Sequence, residues 1–292
     1  DEWKNDPNMI GDVMRFLDNV LSDFINKAPE QFKDAKYSAE RERSVGLGVM
    51  GFHSFLQKHR IPLESVMAKS WNKKIFKQIN EQVNKASKDL AEERGACPDA
   101  AEYGFKERFS NKTAIAPTAS ISIICGGTSP GVEPIAANSY THKTLSGSFN
   151  VRNKYLTEVL EKYGKNDEET WSSITTNQGS VSHLDFLSQN EKDVFKTAFE
   201  LDQRWIVDLG ADRTPHISQA QSINIFIPAD IHKKDLHQIH FQAWKKGLKS
   251  LYYCRSKSIQ RAENVNDTSS TDVTTNVYKS KKQQSEQPEY EE

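Results

Sequence analysis

The sequence predicts an α/β fold. Residues 222–227 are rich in β-branched side chains, the next segment has a helical spacing of apolar residues, and residues 248–253 are again strand-like. A strand, a helix and a strand joined by short connections are typical of a parallel sheet. Apolar residues also recur at helical spacing through the first hundred positions. The 292 residues are enough to bury a substantial core.

Composition and charge narrow the class of protein. The chain has 39 Lys and Arg against 40 Asp and Glu, a formal net charge of −1, which argues against a nucleic-acid binder. No run of apolar residues is long enough for a membrane-spanning helix, and the N-terminus has no signal-peptide pattern. Cys97, Cys125 and Cys254 are odd in number and far apart, so no disulfide framework is expected. We expect a reduced, cytoplasmic protein.

The first hundred residues predict three helices. The first begins near Asp6 and ends before Pro29. Residues 43–58 keep a helical spacing but contain three glycines, which indicate either close packing against another backbone or a partly unwound start. The third helix follows Pro62 and ends near Gly95. The three glycines are Gly46, Gly48 and Gly51.

A candidate phosphate site follows the short apolar run at residues 114–116. The next residues offer three hydroxyl groups and a series of backbone N–H groups, to which a helix beginning there would add its positive end. The alternative is an ordinary Ser/Thr cap at a turn from a strand to a helix, which is common. The candidate residues are Pro117, Thr118, Ala119, Ser120 and Ile121.

A second candidate is the adjacent pair Tyr252 and Tyr253. Neighbouring residues of a regular strand face opposite sides, so the two rings can meet only if the strand breaks there. In that case they could pass a radical between them. The alternative is one buried and one surface tyrosine, because aromatic residues are common in strands.

The remaining candidates are weaker. His232, His237 and His240 lie on or just before one helix but lack the partners of a recognised zinc pattern, so we interpret them as a solvated helix face. No metal site is predicted. Beyond about residue 261 the chain is polar and nearly free of aliphatic residues. We therefore predict a folded region over residues 1–260 and a flexible polar tail over residues 261–292.

Three stretches together resemble the large, catalytic subunit of class I ribonucleotide reductase in its C-terminal half. The stretches are RERSVGLGVMGFHSFLQ, NKTAIAPTASISI followed by GVEP, and QSINIFIPADIHKKDLHQIHFQAWKKGLKSLYYCRS. The resemblance implies a ten-stranded α/β barrel built from two halves of five parallel strands. This chain would supply the second half.

The resemblance also implies an enzymatic activity. The family reduces ribonucleoside diphosphates to deoxyribonucleoside diphosphates by radical chemistry. Its loop matching Pro117, Thr118, Ala119, Ser120 and Ile121 holds the substrate diphosphate. The tyrosines matching Tyr252 and Tyr253 carry a radical inward from a small, metal-containing subunit. A thiol reductant of the thioredoxin or glutaredoxin type and a homodimer of large subunits are implied too, with no cofactor held by this chain.

The chain departs from the family pattern in two respects. It has no Asn-x-Cys-x-Glu motif for the radical cysteine, and no closely spaced cysteine pair near its end. We therefore expect activity only with the N-terminal half supplied. Two alternatives remain: a fragment of a cobalamin-dependent ribonucleotide reductase, which needs no tyrosine relay, and a non-catalytic binding or scaffold module.

Overall fold

The computed structural model describes residues 6–144 and 147–256, and within them it is an α/β fold. The helices are α1 (Met9–Lys27), α2 (Lys33–Glu42), α3 (Phe52–Lys58), α4 (Val66–Arg94), α5 (Pro98–Glu102), α6 (Ile121–Ile124), α7 (Lys154–Lys162), α8 (Glu168–Thr176), α9 (Gln189–Val194), α10 (Gln203–Arg213) and α11 (Lys233–Lys245). The strands are β1 (Ser139–Thr144), β2 (Gly147–Arg152), β3 (Ile225–Ile227) and β4 (Cys254–Ser256). The predicted class is confirmed.

Four extended segments run parallel to one another. Leu47 pairs with Thr113, and Ile115 pairs with Gln221. Further along, β3 pairs with β4, with Ile225 opposite Cys254. Two isolated bridges and the two-stranded β3–β4 sheet thus place four segments side by side, in the order 45–47, 111–115, 219–227 and 252–256.

The predicted strand–helix–strand unit is present as β3, α11 and β4. All three residues of β3 are buried, and α11 packs against α10. The second strand begins only at Cys254, so the prediction of a strand over residues 248–253 was wrong in its bounds. The cause is an irregularity in the backbone pairing at Tyr252, described below.

The glycine-rich segment is an extended stretch followed by a short helix. Residues 45–47 are extended and α3 begins only at Phe52, so the partly unwound start that the three glycines indicated is confirmed. A Cβ atom on Gly48 would lie 2.5 Å from the Ala114 carbonyl oxygen, so only glycine lets the two backbones approach this closely. Gly51 has a φ of +82°, which turns the chain into α3.

The other two predicted helices are confirmed. Asp6 accepts hydrogen bonds from the backbone N–H groups at the start of α1. The long helix α4 begins after Ser65, whose hydroxyl accepts from the Ala68 N–H, and ends at Gly95. It packs against α1 and α10, and its apolar side enters two clusters of the core.

A charged cluster ties α1 to the elements around it. The Asp18 side chain is fully buried and accepts hydrogen bonds from Arg43, Arg94 and Arg108 at 2.8–2.9 Å. Burial alone would raise the pKa of Asp18, but hydrogen bonds from the three arginines outweigh it and lower the pKa. The carboxylate therefore stays ionised in the folded chain.

Two further expectations concern the C-terminal tail and membrane-spanning helices. The predicted tail over residues 261–292 lies outside the described residues, so it and the boundary at residue 260 stay predictions. Across residues 6–144 and 147–256, the structure contains no helix with the length and apolar character needed to cross a bilayer.

Candidate functional site

The candidate phosphate loop folds back on a glycine further along the chain. Thr118 has a φ of +50°, and its Oγ1 accepts a hydrogen bond from the Gly131 N–H at 2.7 Å. Gly131 itself has a φ of +48°, and a Cβ atom there would lie 2.8 Å from the Ala116 carbonyl oxygen. The segment from Ala116 to Thr118 and the turn at Gly131 are thus held against each other.

The loop leaves several backbone donors without a protein partner. Among the described residues, none accepts a hydrogen bond from the N–H groups of residues 118–121. Ala119, Ser120 and Ile121 are exposed. A run of unpaired N–H groups is a common way to bind phosphate oxygens. Because α6 has only four residues, its dipole adds little to such binding.

A cleft of about 480 Å³ lies beside the loop. Ala119 and Ser122 line one part of it, and the start of α7 lines another. Its charged lining side chains are Arg152 and Lys154, both basic. The Lys154 Nζ donates to the Gly126 carbonyl at 3.0 Å, which connects α7 to the glycine-rich turn after α6. The Arg152 guanidinium is ion-paired with the Glu168 carboxylate at 2.6 Å, which offsets its charge, so the positive charge of the lining rests mainly on Lys154.

Tyr252 and Tyr253 are in ring-to-ring contact. Their centroids are 4.0 Å apart at an interplanar angle of 45°, and the two side chains are 47% and 55% exposed. The alternative of one buried and one surface tyrosine is wrong. A hydrogen bond with the Tyr253 phenol raises the pKa of the Tyr252 phenol.

The contact arises from a β-bulge. The Tyr252 N–H donates to the Ile223 carbonyl at 2.8 Å, and the Ile225 N–H donates to the Tyr253 carbonyl at 2.9 Å. Two consecutive residues thus lie opposite the single residue Asn224. An extra residue of this kind breaks the alternation of side chains along a strand. This is the break that the sequence analysis required for the two rings to meet.

Two buried polar residues connect the tyrosines to the loop. The Asn224 Oδ1 accepts from the Tyr253 N–H at 3.0 Å, and its Nδ2 donates to the Glu133 Oε1 at 2.6 Å. Glu133 is only two residues beyond Gly131, which holds Thr118. Burial raises the pKa of Glu133, while the Asn224 hydrogen bond opposes that shift.

Sequence reasoning did not single out these two residues. The available signal was an asparagine inside an otherwise apolar run, Ile223 to Ile227, and a glutamate between valine and proline. A polar residue in a buried strand needs a partner, but the sequence alone does not identify it.

The weaker candidates are on the surface or in the core. His232 caps α11, His237 stacks on Phe241 and His240 bonds the Leu236 carbonyl, all three being exposed. Within the described parts of the chain, no group of three His, Cys, Asp or Glu side chains is placed to hold a metal ion. All three cysteines are unpaired; Cys97 is buried, whereas Cys125 and Cys254 are exposed.

Comparison with known proteins identifies the family. The family profile described as "Ribonucleotide reductase, barrel domain" matches residues 3–107 and 99–254 of the chain. The chain belongs to the ribonucleotide reductase family. The resemblance seen in the sequence is thereby confirmed.

Individual ribonucleotide reductases are similar over nearly the whole chain. The ribonucleoside-diphosphate reductase large subunit of Invertebrate iridescent virus 6 is 48% identical over 269 residues, which cover 91% of this chain and 28% of that protein. A protein of Frog virus 3, named as a putative large subunit of the same enzyme, is 42% identical and covers 88% and 45%.

A solved structure agrees. The class Id ribonucleotide reductase alpha subunit of Actinobacillus ureae has a TM-score of 0.81 and 39% sequence identity to this chain, covering 88% of it and 48% of that subunit. The chain therefore spans less than half the length of these ribonucleotide reductases.

Proposed function

We propose that this chain is part of the large subunit of a ribonucleoside-diphosphate reductase, which replaces the 2′-hydroxyl of a ribonucleoside diphosphate by hydrogen. Within that subunit it would hold the substrate diphosphate and carry the radical through a tyrosine pair. The observation that carries the proposal is the contact between Tyr252 and Tyr253, with ring centroids 4.0 Å apart. In a regular strand these two rings would lie on opposite faces.

The loop from Pro117 to Ile121 is the proposed diphosphate site. Its N–H groups at residues 118–121 have no acceptor among the described residues, and Lys154 adds positive charge to the adjoining cleft. Oxygen atoms of a diphosphate need several donors at once, which such a loop can offer without a dedicated lysine. Ala119 and Ile121 would contribute through the backbone, because their side chains are apolar.

Tyr252 and Tyr253 are the proposed radical relay. Each phenol would lose an electron and a proton and regain them from its neighbour, so the rings must be close enough for both transfers. Both side chains are about half exposed, which suits a relay that begins at a separate protein. That protein would be the small, metal-containing subunit implied by the family resemblance.

The proposed activity needs parts that this sequence lacks. The Asn-x-Cys-x-Glu motif of the radical cysteine is absent from it. The N-terminal half of the large subunit would supply that cysteine and complete the ten-stranded barrel, to which this chain adds its parallel segments. A dimer of large subunits and a thioredoxin- or glutaredoxin-type reductant would complete the enzyme, which we place in the cytoplasm.

The relay is tested with Tyr252→Phe and Tyr253→Phe in the enzyme reconstituted with the rest of the large subunit and a small subunit. Phenylalanine keeps the ring but cannot be oxidised at a phenol, so each variant is expected to lose turnover while still binding substrate. Tyr103→Phe is the matched control, because Tyr103 is 80% exposed and lies far from the tyrosine pair in the sequence. Full turnover by both relay variants would favour the cobalamin-dependent alternative.

The diphosphate site is tested separately with Ser120→Asp. A carboxylate facing phosphate oxygens is repulsive, so affinity for a ribonucleoside diphosphate is expected to fall, at a cost of a few kcal/mol. Ser172→Asp, at an exposed position of α8, is the control for the added charge. Unchanged affinity in Ser120→Asp would remove the loop assignment. A well-folded assembly that reduces no nucleotide would favour the scaffold alternative.

A further inference from the structure

We infer that Asn224 and Glu133 are positioning residues for the tyrosine pair. Glu133 fixes the orientation of the Asn224 amide, and the Asn224 side-chain oxygen stabilises the β-bulge that brings Tyr252 and Tyr253 together. The inference deepens the proposed function and rests on it for its catalytic consequence. Its structural content stands on the hydrogen bonds of this chain alone.

The bulge leaves one backbone donor without a strand partner. In a regular parallel pair, one residue opposite Asn224 makes both bonds: its N–H donates to the Ile223 carbonyl, and its carbonyl accepts from the Ile225 N–H. Here Tyr253 accepts from Ile225, but Tyr252 donates to Ile223, so the Tyr253 N–H has no strand partner. The Asn224 Oδ1 accepts that N–H at 3.0 Å. A donor left unpaired inside the fold is destabilising, so the Asn224 side chain offsets the cost of the irregular pairing.

The orientation of the amide is set by its other end. Asn224 is 1% exposed, and its amide has one donor end and one acceptor end. The Glu133 Oε1 accepts from the Nδ2 end at 2.6 Å and so holds that end of the amide. The Oδ1 end is then directed at Tyr253. Without Glu133, the amide is free to rotate and to turn its NH₂ group toward the Tyr253 N–H, which is also a donor.

Glu133 also links the pair to the proposed substrate loop. The Gly131 N–H, two residues earlier, donates to the Thr118 Oγ1 at 2.7 Å. The Glu133 N–H donates to the Pro130 carbonyl at 3.0 Å, which keeps the short segment between them turned. Residues 131–133 thus bond both Thr118 in the loop and Asn224 beside the tyrosines. The experiment must therefore distinguish an effect of Asn224 on the tyrosines from an effect on substrate binding.

The test uses Asn224→Leu, which has similar volume and neither hydrogen bond, in the full chain and in the reconstituted enzyme. We expect kcat to fall at least about tenfold, equal to about 1.4 kcal/mol in the barrier, with KM for the ribonucleoside diphosphate changed less than about twofold. We also expect the pKa of Tyr252 to fall toward that of an ordinary phenol. The pKa is measured by ultraviolet titration against the same variant carrying Tyr252→Phe.

Two further variants keep the test decisive. Glu133→Leu leaves Asn224 in place but frees its amide, so it should reproduce the effect even if Asn224→Leu does not fold. Glu133→Gln retains an acceptor for Asn224 and should restore most of the turnover. Asn72→Leu is the control for loss of a buried amide, since Asn72 is fully buried and bonds Leu209 and Arg213 instead. It should lower stability without moving the Tyr252 pKa.

The outcomes separate this inference from the proposed function. An unchanged Tyr252 pKa in both Asn224→Leu and Glu133→Leu would overturn the positioning role. A rise in KM with kcat preserved would overturn it too, because the two residues would then act on the substrate loop. Absence of nucleotide reduction by the unmodified assembly would refute the proposed function, whereas the phenol titration would still decide the positioning role.

Discussion

Replacing Gly131 by alanine tests the loop conformation on which diphosphate binding depends. Gly131 has a φ of +48°, and the new Cβ would lie 2.8 Å from the Ala116 carbonyl oxygen. The left-handed backbone costs a residue with a Cβ about 1–2 kcal/mol. Forcing two backbone segments apart costs about 1–3 kcal/mol more. The free energy of unfolding should therefore fall by about 2–5 kcal/mol.

Gly127→Ala provides the matched control in the same loop. Gly127 also has a positive φ, +59°, but a Cβ there would meet nothing within 4 Å. Gly127→Ala should lose stability through the left-handed backbone alone, without a close contact to another backbone segment. The free energies of unfolding of the two variants should therefore differ by about 1–3 kcal/mol. Urea unfolding of each variant and of the unmodified chain measures that difference. Calorimetry of the reconstituted enzyme measures the affinity for a ribonucleoside diphosphate.

The two measurements should agree. Gly131→Ala must displace Ala116 and the turn that follows, so it should weaken the affinity more than Gly127→Ala does. Equal losses of stability in both variants would mean that Gly131 and Ala116 do not approach closely. The loop conformation, and the diphosphate site built on it, would then be wrong.

Three other perturbations follow from the fold. Burial lowers the pKa of His53 from 6.5 to about 3, so the unfolded chain binds a proton at a higher pH than the folded chain does. The free energy of unfolding should therefore fall by about 2 kcal/mol between pH 7 and about pH 5. The His53→Gln variant should show a smaller fall over the same pH range. Asp18→Asn should cost about 3–5 kcal/mol in urea unfolding, against less than about 1 kcal/mol for Asp23→Asn, whose pair with a lysine is exposed. Gly48→Ala should lower the melting temperature through its 2.5 Å approach to a backbone carbonyl, whereas Gly11→Ala, in open space within α1, should stabilise by about 1 kcal/mol; an opposite order would contradict the observed strand spacing.

The sequence was sufficient where the signal is local. Helix α4 follows from apolar residues at helical spacing, with Ser65 at its start and Gly95 at its end. The order strand, helix, strand near the C-terminal end of the described residues follows from the same kind of signal. These patterns depend on neighbours within a few positions, which the sequence displays directly.

The sequence was insufficient where the deciding contact is distant along the chain. Whether residues 43–58 form a helix depended on how closely Gly48 approaches Ala114, a backbone contact that no local pattern encodes. The hairpin of β1 and β2 was not predicted, since its strands are polar and lack a strong turn dipeptide. The break at the tyrosines depends on the register between Ile223 and Tyr252, and the Asn224–Glu133 bond spans 91 positions.

The distribution of the three thiols has a practical consequence. Cys97 is enclosed, whereas Cys125 lies in the glycine-rich turn after α6 and Cys254 directly follows Tyr253. A maleimide dye or a nitroxide should therefore attach at just these two accessible sulfur atoms in the folded chain. One label would report from the loop and the other from the aromatic pair, so distance spectroscopy could follow both elements during nucleotide binding without any engineered cysteine.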